Sequence, residues 1–176
     1  MTWTRETSKG NESQKCRWEI VKYTRGRGLD VGCGPIKCFP HFIGVDNCHH
    51  EIFGQNIKPD VRVETCLDLA VFGTESMDFV FSSHTLEHVN PQDVVRCLTE
   101  WCRLIKKGGH LVMYLPDKSL YPNMGEDGAN PDHRWDPNYE SVVSYMDQVG
   151  KDWDLVEYQL RDQDYEYSGL YIFRMI

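Results

Sequence analysis

No stretch of the sequence approaches the roughly 18 uninterrupted apolar residues that a membrane-spanning helix requires, so a span is excluded on length alone. The opening Met1-Thr2-Trp3-Thr4-Arg5-Glu6 lacks the apolar core of a secretory signal, and none is expected. There is no CxxC pair. The seven cysteines, at 16, 33, 38, 48, 66, 97 and 102, are odd in number and scattered, which argues against a zinc ribbon and against a disulfide framework. From these absences a reducing, cytoplasmic setting is expected. No internal repeat or linker interrupts the 176 residues, which predicts one domain over 1–176. A basic surface is also missing. Residues 28–115 carry seven Lys/Arg against eleven Asp/Glu, residues 116–176 carry five against thirteen, and the net charge is −8. Phosphate contacts need clustered Lys and Arg, so nucleic acid is disfavoured as a partner. The basic segment 1–27, seven against three, is too short and too mixed to reverse that.

What is present suffices for a core: 40% of residues are hydrophobic and 26% charged. After a polar segment 1–11, expected to fray, residues 12–24 form a helical pattern with Cys16, Ile20 and Tyr23 on one face and Trp18 with Val21 beside it. This basic amino-terminal helix or cap, within 1–26, stops at Gly26-Arg27-Gly28. Strands are predicted at 29–31, 42–46, 61–67, 77–81, 110–115, 153–160 and 170–176. The best-signalled helix follows strand four. Asn90 is placed as N-cap, Pro91 as N1 and Asp93 as N3, with Val94, Leu98, Trp101 and Ile105 at helical spacing, and Lys106-Lys107-Gly108-Gly109 at its end. A second helix is predicted after Asp136-Pro137, with Tyr139, Val142, Val143, Met146 and Val149 on its apolar face and Gly150 as its stop. Strands alternating with helices predict an α/β fold: a seven-stranded, mostly parallel sheet with helices on both faces and an antiparallel carboxy-terminal strand, because the last two strands share a short connection.

Ligands in such sheets bind beyond the carboxyl ends of the strands, where the strand order reverses. The turn Asp30-Val31-Gly32-Cys33-Gly34-Pro35 leaves strand one there, and two glycines let backbone approach a ligand where a Cβ would obstruct it. Asp46 at the end of strand two can accept both hydroxyls of a ribose. Asp68 at the end of strand three can accept from an adenine amino group, and Ser82 with Ser83 end strand four at the same crevice. Singly, each has a plain structural reading as turn, cap or solvated carboxylate; their order across four consecutive strands describes an adenosine-shaped site.

These residues resemble the class I S-adenosylmethionine-dependent methyltransferases, particularly the type-11 branch. The resemblance rests on Leu29-Asp30-Val31-Gly32-Cys33-Gly34-Pro35, Ile43-Gly44-Val45-Asp46 and Cys66-Leu67-Asp68-Leu69. It continues through Met77-Asp78-Phe79-Val80-Phe81-Ser82-Ser83-His84-Thr85-Leu86-Glu87-His88-Val89 and Arg103-Leu104-Ile105-Lys106-Lys107-Gly108-Gly109. It implies a Rossmann-like fold and S-adenosyl-L-methionine as cofactor. By the same resemblance Gly32 and Gly34 approach the methionine part, Asp46 holds the ribose, Asp68 and Leu69 the adenine, and Ser83 and His84 line the floor between cofactor and substrate, with Asp30, Cys33 and Ser82 also expected at the cofactor. Two departures stand out. Too few residues lie between strands one and two for the usual helix, since a parallel crossover takes about ten to twelve residues at minimum, so a reduced helix is expected there. The connection 47–60 is short as well, leaving the pocket open or closed by the amino-terminal helix or a second subunit, as in a homodimer. A dinucleotide site would need glycine at position 37, where lysine stands, which makes a nicotinamide-dependent oxidoreductase the weaker alternative. Aminopropyl transfer is another neighbour on this fold.

His84 and His88, four apart, would share a helical face and could suit a metal, but the ordinary reading is a packing segment with structural hydrogen bonds, and no metal is expected. His49-His50 reads as a solvated pair, and His41 and His110 as structural. The loop 116–135 is longer than compact domains usually carry without function; it is expected to form the acceptor-side wall. Its end places His133 as candidate general base, Arg134 as a clamp for an acidic substrate and Trp135 as a stacking surface. The bland alternative has Trp135 anchoring the loop and His133 facing water. The function expected is methyl transfer from S-adenosylmethionine by in-line displacement to a small molecule, sugar or protein side chain. The alternative is a non-catalytic cofactor-binding or partner subunit of the same fold.

Overall fold

The computed structural model describes residues 12–163 and 165–176. The segment 1–11, expected to fray, lies outside them. Seven strands form one sheet in the order β3-β2-β1-β4-β5-β7-β6: β1 (Gly28–Val31), β2 (Ile43–Asp46), β3 (Val61–Arg62), β4 (Met77–Ser83), β5 (Ile105–Pro116), β6 (Trp153–Arg161) and β7 (Ser168–Met175). β1 to β5 pair in parallel. β7 runs antiparallel to both β5 and β6, as predicted for the carboxy-terminal strand, and is inserted between them, which leaves β6 at the edge.

The period-two alternation of strand side chains sorts the core into two layers. Val80, Leu111, Met113, Tyr171 and Phe173 face the larger layer. Phe79, Phe81, Val112, Tyr114, Leu170 and Ile172 face the smaller one. The larger layer is closed by α3 (Pro91–Leu104) and α4 (Tyr139–Met146), which touch each other. α3 buries Val94, Cys97, Leu98, Trp101, Cys102 and Leu104, and each large apolar side chain so buried contributes roughly 1.5–3 kcal/mol. The smaller layer is covered by α1 (Glu12–Lys15) and α2 (Arg17–Ile20), through Cys16 and Ile20, together with Cys38 and Phe42 from the connection between β1 and β2. That connection holds no helix, so the reduced helix expected there is missing altogether.

Several element boundaries differ from the sequence reading. The helix predicted over 12–24 is two single turns, interrupted at Cys16, whose ψ of 10° leaves the helical range. α3 ends at Leu104, because Ile105 is already extended (φ −83°, ψ 131°). Lys106 and Lys107 therefore belong to β5, in an irregular stretch where Met77 pairs with Ile105 but Phe79 with His110, and Lys106 Nζ meets Asp78 Oδ1 at 2.7 Å. α4 is capped by Asn138 rather than by Asp136-Pro137. The Asn138 Oδ1 accepts from the Ser141 amide at 3.0 Å, and the Ser141 hydroxyl accepts from the Asn138 amide at 3.1 Å. Asp136 is drawn back into the long loop, where it accepts from the Met124 amide. β3 is only two residues long, so its predicted continuation to residue 67 is an irregular loop.

Candidate functional site

Between β1 and β4 the strand order reverses, and there the carboxyl ends of β1 and β2, with the loops beyond them, enclose a crevice of about 390 Å³, a volume suited to a small-molecule ligand. The glycine turn forms its floor. Gly32 has a left-handed φ of +73° and donates its amide to the Val45 carbonyl at 2.8 Å; a Cβ there would lie 2.0 Å from Thr85 Oγ1. Gly34, at φ +55°, is different: a Cβ would meet no further atom within 4 Å, and the residue lines the open crevice. Its backbone is therefore free for close approach by a ligand. Asp46 ties this turn to the exit of β2. Its Oδ2 accepts from the Gly34 amide at 2.9 Å and its Oδ1 from the Cys48 amide at 2.6 Å, which fixes the carboxylate at the crevice wall with lone pairs remaining on both oxygens.

Of the other residues expected at the cofactor, most lie elsewhere. Asp30 turns away from the crevice: it is buried, its Oδ2 accepts from the Cys38 amide at 2.7 Å, and burial pushes its carboxyl up to about 7. Cys33 is buried behind the turn, and burial with the Asp30 and Asp46 carboxylates pushes its thiol up to about 12. Ser82 donates its hydroxyl to the Val31 carbonyl at 2.9 Å, bracing β4 against β1. Ser83 is buried, and its hydroxyl has no partner among the described residues. Asp68 and Leu69 are displaced because β3 stops at Arg62. Asp68 Oδ1 caps the Ala70 amide at 3.0 Å and faces a separate depression beside Glu100 and Arg103. The Leu69 amide donates to Glu100 Oε1 at 2.8 Å while its side chain is buried. The crevice wall that these two were expected to form is made instead by Thr65, Cys66 and Leu67.

At the other end of the crevice stand His84, His88, Asp132 and Arg134. His84 leaves β4 at a left-handed φ of +50°; its Nε2 lies 3.0 Å from the Ser168 hydroxyl, and burial holds its imidazole well below the ordinary histidine range. The loop is pinned to the single 3-10 turn Leu86–His88 by two bonds: the Arg134 amide donates to the Glu87 carbonyl at 2.8 Å, and the Trp135 indole donates to the Leu86 carbonyl at 3.0 Å. Trp135 is buried and packs edge-on to Tyr145, 5.2 Å between ring centroids, so it anchors the loop rather than offering a stacking face. His133 is buried beside it. Its ring does not form the crevice wall but lies against His88 and Tyr121, and burial lowers its imidazole to about 4.

Asn90, Asp93 and His88 are among the wall residues that sequence reasoning missed. Asn90 was read only as an N-cap; its side chain makes no capping bond, and it lines the crevice with Asp93. That position gave no signal separating a cap from a ligand contact. His88 lines the wall too, although it was read as packing.

Residues 29–113 match the model of a methyltransferase-domain family. No curated protein matches the sequence. Solved structures do share the fold. A SAM-dependent methyltransferase from Archaeoglobus fulgidus is 17% identical with a TM-score of 0.66, covering 92% of each chain. One from Mesorhizobium loti is 14% identical with a TM-score of 0.65, covering 94% of this chain and 98% of that one. A SAM-dependent methyltransferase from Thermotoga maritima, described as a possible histamine N-methyltransferase, is 21% identical with a TM-score of 0.62, covering 90% and 87%. Residues 29–113 thus carry the match to the methyltransferase-domain family, and that match together with the shared fold supports a class I S-adenosylmethionine-dependent methyltransferase of the type-11 branch.

Proposed function

We propose that the acceptor is a small molecule, a sugar or a protein side chain, entering at the histidine end of the crevice while the cofactor lies over the glycine turn. The observation that carries this reading is the pairing of Gly34, whose Cβ position is open, with Asp46, whose carboxylate is held by two backbone amides. A ligand bearing a vicinal diol could meet the lone pairs of Asp46 and the bare backbone at Gly34 together. Thr65, Cys66 and Leu67, together with Asn90 and Asp93, supply the mixed apolar and polar walls that a purine ring fits.

S-adenosylmethionine supplies a methyl group on a sulfonium, already a good leaving group. The chain's own tasks are then to align the acceptor and to exclude water. Arg134 at the rim offers a guanidinium to an anionic acceptor, and His84 closes the floor. The acidic balance of the chain, −8 overall, favours these acceptor classes over nucleic acid.

Calorimetry with S-adenosylhomocysteine and with NAD, followed by methyl turnover on metabolite, glycan and peptide acceptors, tests this reading. Binding of S-adenosylhomocysteine and methylation within one of the three classes is expected. Methylation confined to RNA or DNA would overturn the acceptor assignment. Binding without turnover across all classes would favour the partner-subunit alternative.

A further inference from the structure

Glu87 is fully buried, and neither of its carboxylate oxygens has a hydrogen-bond partner among the described residues. A buried carboxyl without a partner is costly and rare. Three imidazoles approach it, with the Glu12 carboxylate beyond His84. His84 Nδ1 lies 3.6 Å from Glu87 Oε1, and His88 Nε2 and His133 Nε2 each lie 3.9 Å from the same oxygen. All three distances exceed a hydrogen bond. They are close to what a shared ion produces, because ligand atoms about 2.0–2.2 Å from one metal sit roughly 3–3.6 Å from each other. One ligand atom each from Glu87, His88 and His133 falls within 4.8 Å of the others.

The donor set is also oriented. The His88 Nδ1 lies 3.2 Å from the Asp132 carbonyl, which can only accept, so Nδ1 carries the proton and Nε2 presents a lone pair toward Glu87. Metal-binding histidines are fixed in this way by a backbone carbonyl on the far nitrogen. The two bonds from Arg134 and Trp135 to the Leu86–His88 turn hold the loop that bears His133 against the turn that bears Glu87 and His88. The constellation is thus held in place before any ligand arrives.

We propose that Glu87, His88 and His133 form a binding site for a divalent transition-metal ion, with His88 carrying it to the wall of the crevice. Two imidazoles and one carboxylate suit zinc(II) or iron(II) better than magnesium or calcium, which prefer oxygen. Three protein ligands leave coordination positions for water or an acceptor oxygen. An acceptor bound there would be oriented, and its hydroxyl made more acidic, without a protein base. Sequence reasoning weighed a metal only at His84 and His88, because His133 comes from a loop 45 residues beyond His88.

The test is zinc(II) titration of the full chain by calorimetry, with cobalt(II) absorption spectra in parallel, on the parent and on Glu87→Gln and His133→Asn. One equivalent of zinc(II) is expected, weakened by about 10–100-fold or more in each variant. The cobalt(II) spectrum should show ligand-field bands without a thiolate charge-transfer band. If Glu87→Gln does not fold, as judged by its thermal transition, His133→Asn on the loop decides alone. Unchanged zinc(II) affinity in a folded variant, or a cobalt(II) spectrum dominated by thiolate, would overturn the proposal and assign the metal to cysteines. S-adenosylhomocysteine binding, measured on the same samples, reports the cofactor site separately, so either assignment can fail while the other stands.

Discussion

The two ends of the crevice use carboxylates in opposite ways. At the glycine end Asp46 is bonded through both oxygens to backbone amides and sits at the wall. At the histidine end the Glu87 side chain is fully buried, its carboxylate oxygens have no hydrogen-bond partner among the described residues, and burial pushes its carboxyl up to about 8. Behind the glycine turn Asp30 is intermediate, with one oxygen on the Cys38 amide and the other without a partner among the described residues. The contrast separates a scaffold that is complete in itself from a pocket of donors that calls for a cation.

The largest effect is expected at the histidine end. Trp135→Ala should lower the unfolding free energy by about 3–5 kcal/mol, read from denaturant melts, and Trp135→Phe by about 1 kcal/mol through the lost bond to Leu86. Were Trp135 a stacking surface for the acceptor instead, Trp135→Ala would raise KM and leave stability alone.

Asp30 tests the hidden side of the glycine end. Its folded carboxyl holds a proton up to about pH 7, whereas the unfolded chain releases it near 4. Between those values the folded state binds more protons, so stability is highest at the low end, falls as pH rises to 7 and is flat beyond. The loss amounts to at most about 4 kcal/mol, from about three pKa units. Asp30→Asn should flatten this slope and be more stable than the parent at pH 8; parallel pH–stability curves for the two would refute the burial argument.

At the crevice floor, Gly32→Val combines a branched side chain at φ +73° with a Cβ 2.0 Å from Thr85 Oγ1. S-adenosylhomocysteine affinity should fall about 10²–10³-fold by calorimetry, which corresponds to roughly 3–4 kcal/mol of strain and displacement. The smallest effect is expected for Asp46→Ala, which removes the acceptor for two amides and for the diol. About 10–100-fold weaker binding follows from hydrogen bonds to a charged group worth roughly 1.5–3 kcal/mol. If Asp46→Ala binds like the parent, the diol assignment is wrong.

How much of this was legible in the sequence depended on distance along the chain. Gly32, Gly34 and Asp46 could be read because consecutive parallel strands deliver their ends to one place, and α3 because its apolar spacing is unbroken from Val94 to Trp101. Asp68 and Leu69, expected at the adenine, do not line the crevice, and Thr65, Cys66 and Leu67 stand there instead. The alternation Val61-Arg62-Val63-Glu64 looks like a strand, yet pairing with β2 ends at Arg62, and beyond it Trp101 Nε1 instead holds the Cys66 carbonyl at 3.0 Å. The tertiary bond overrode the local pattern. The meeting of Glu87, His88 and His133 had no local signature, because it depends on two long-range bonds from Arg134 and Trp135.

The placement of β7 between β5 and β6 governs how this molecule comes to be. β6 precedes β7 in the chain but can join the sheet only through it, so the edge of β5 stays open, with its amides and carbonyls unpaired, until residues 168–175 arrive. Such late, non-local pairing slows folding and leaves a strand edge open to other chains in the meantime. The crevice end of the sheet, from β1 to β4, can assemble before that step. The carboxy-terminal hairpin is thus expected to set the folding rate and the aggregation hazard, while the elements that carry the chemistry are already in place.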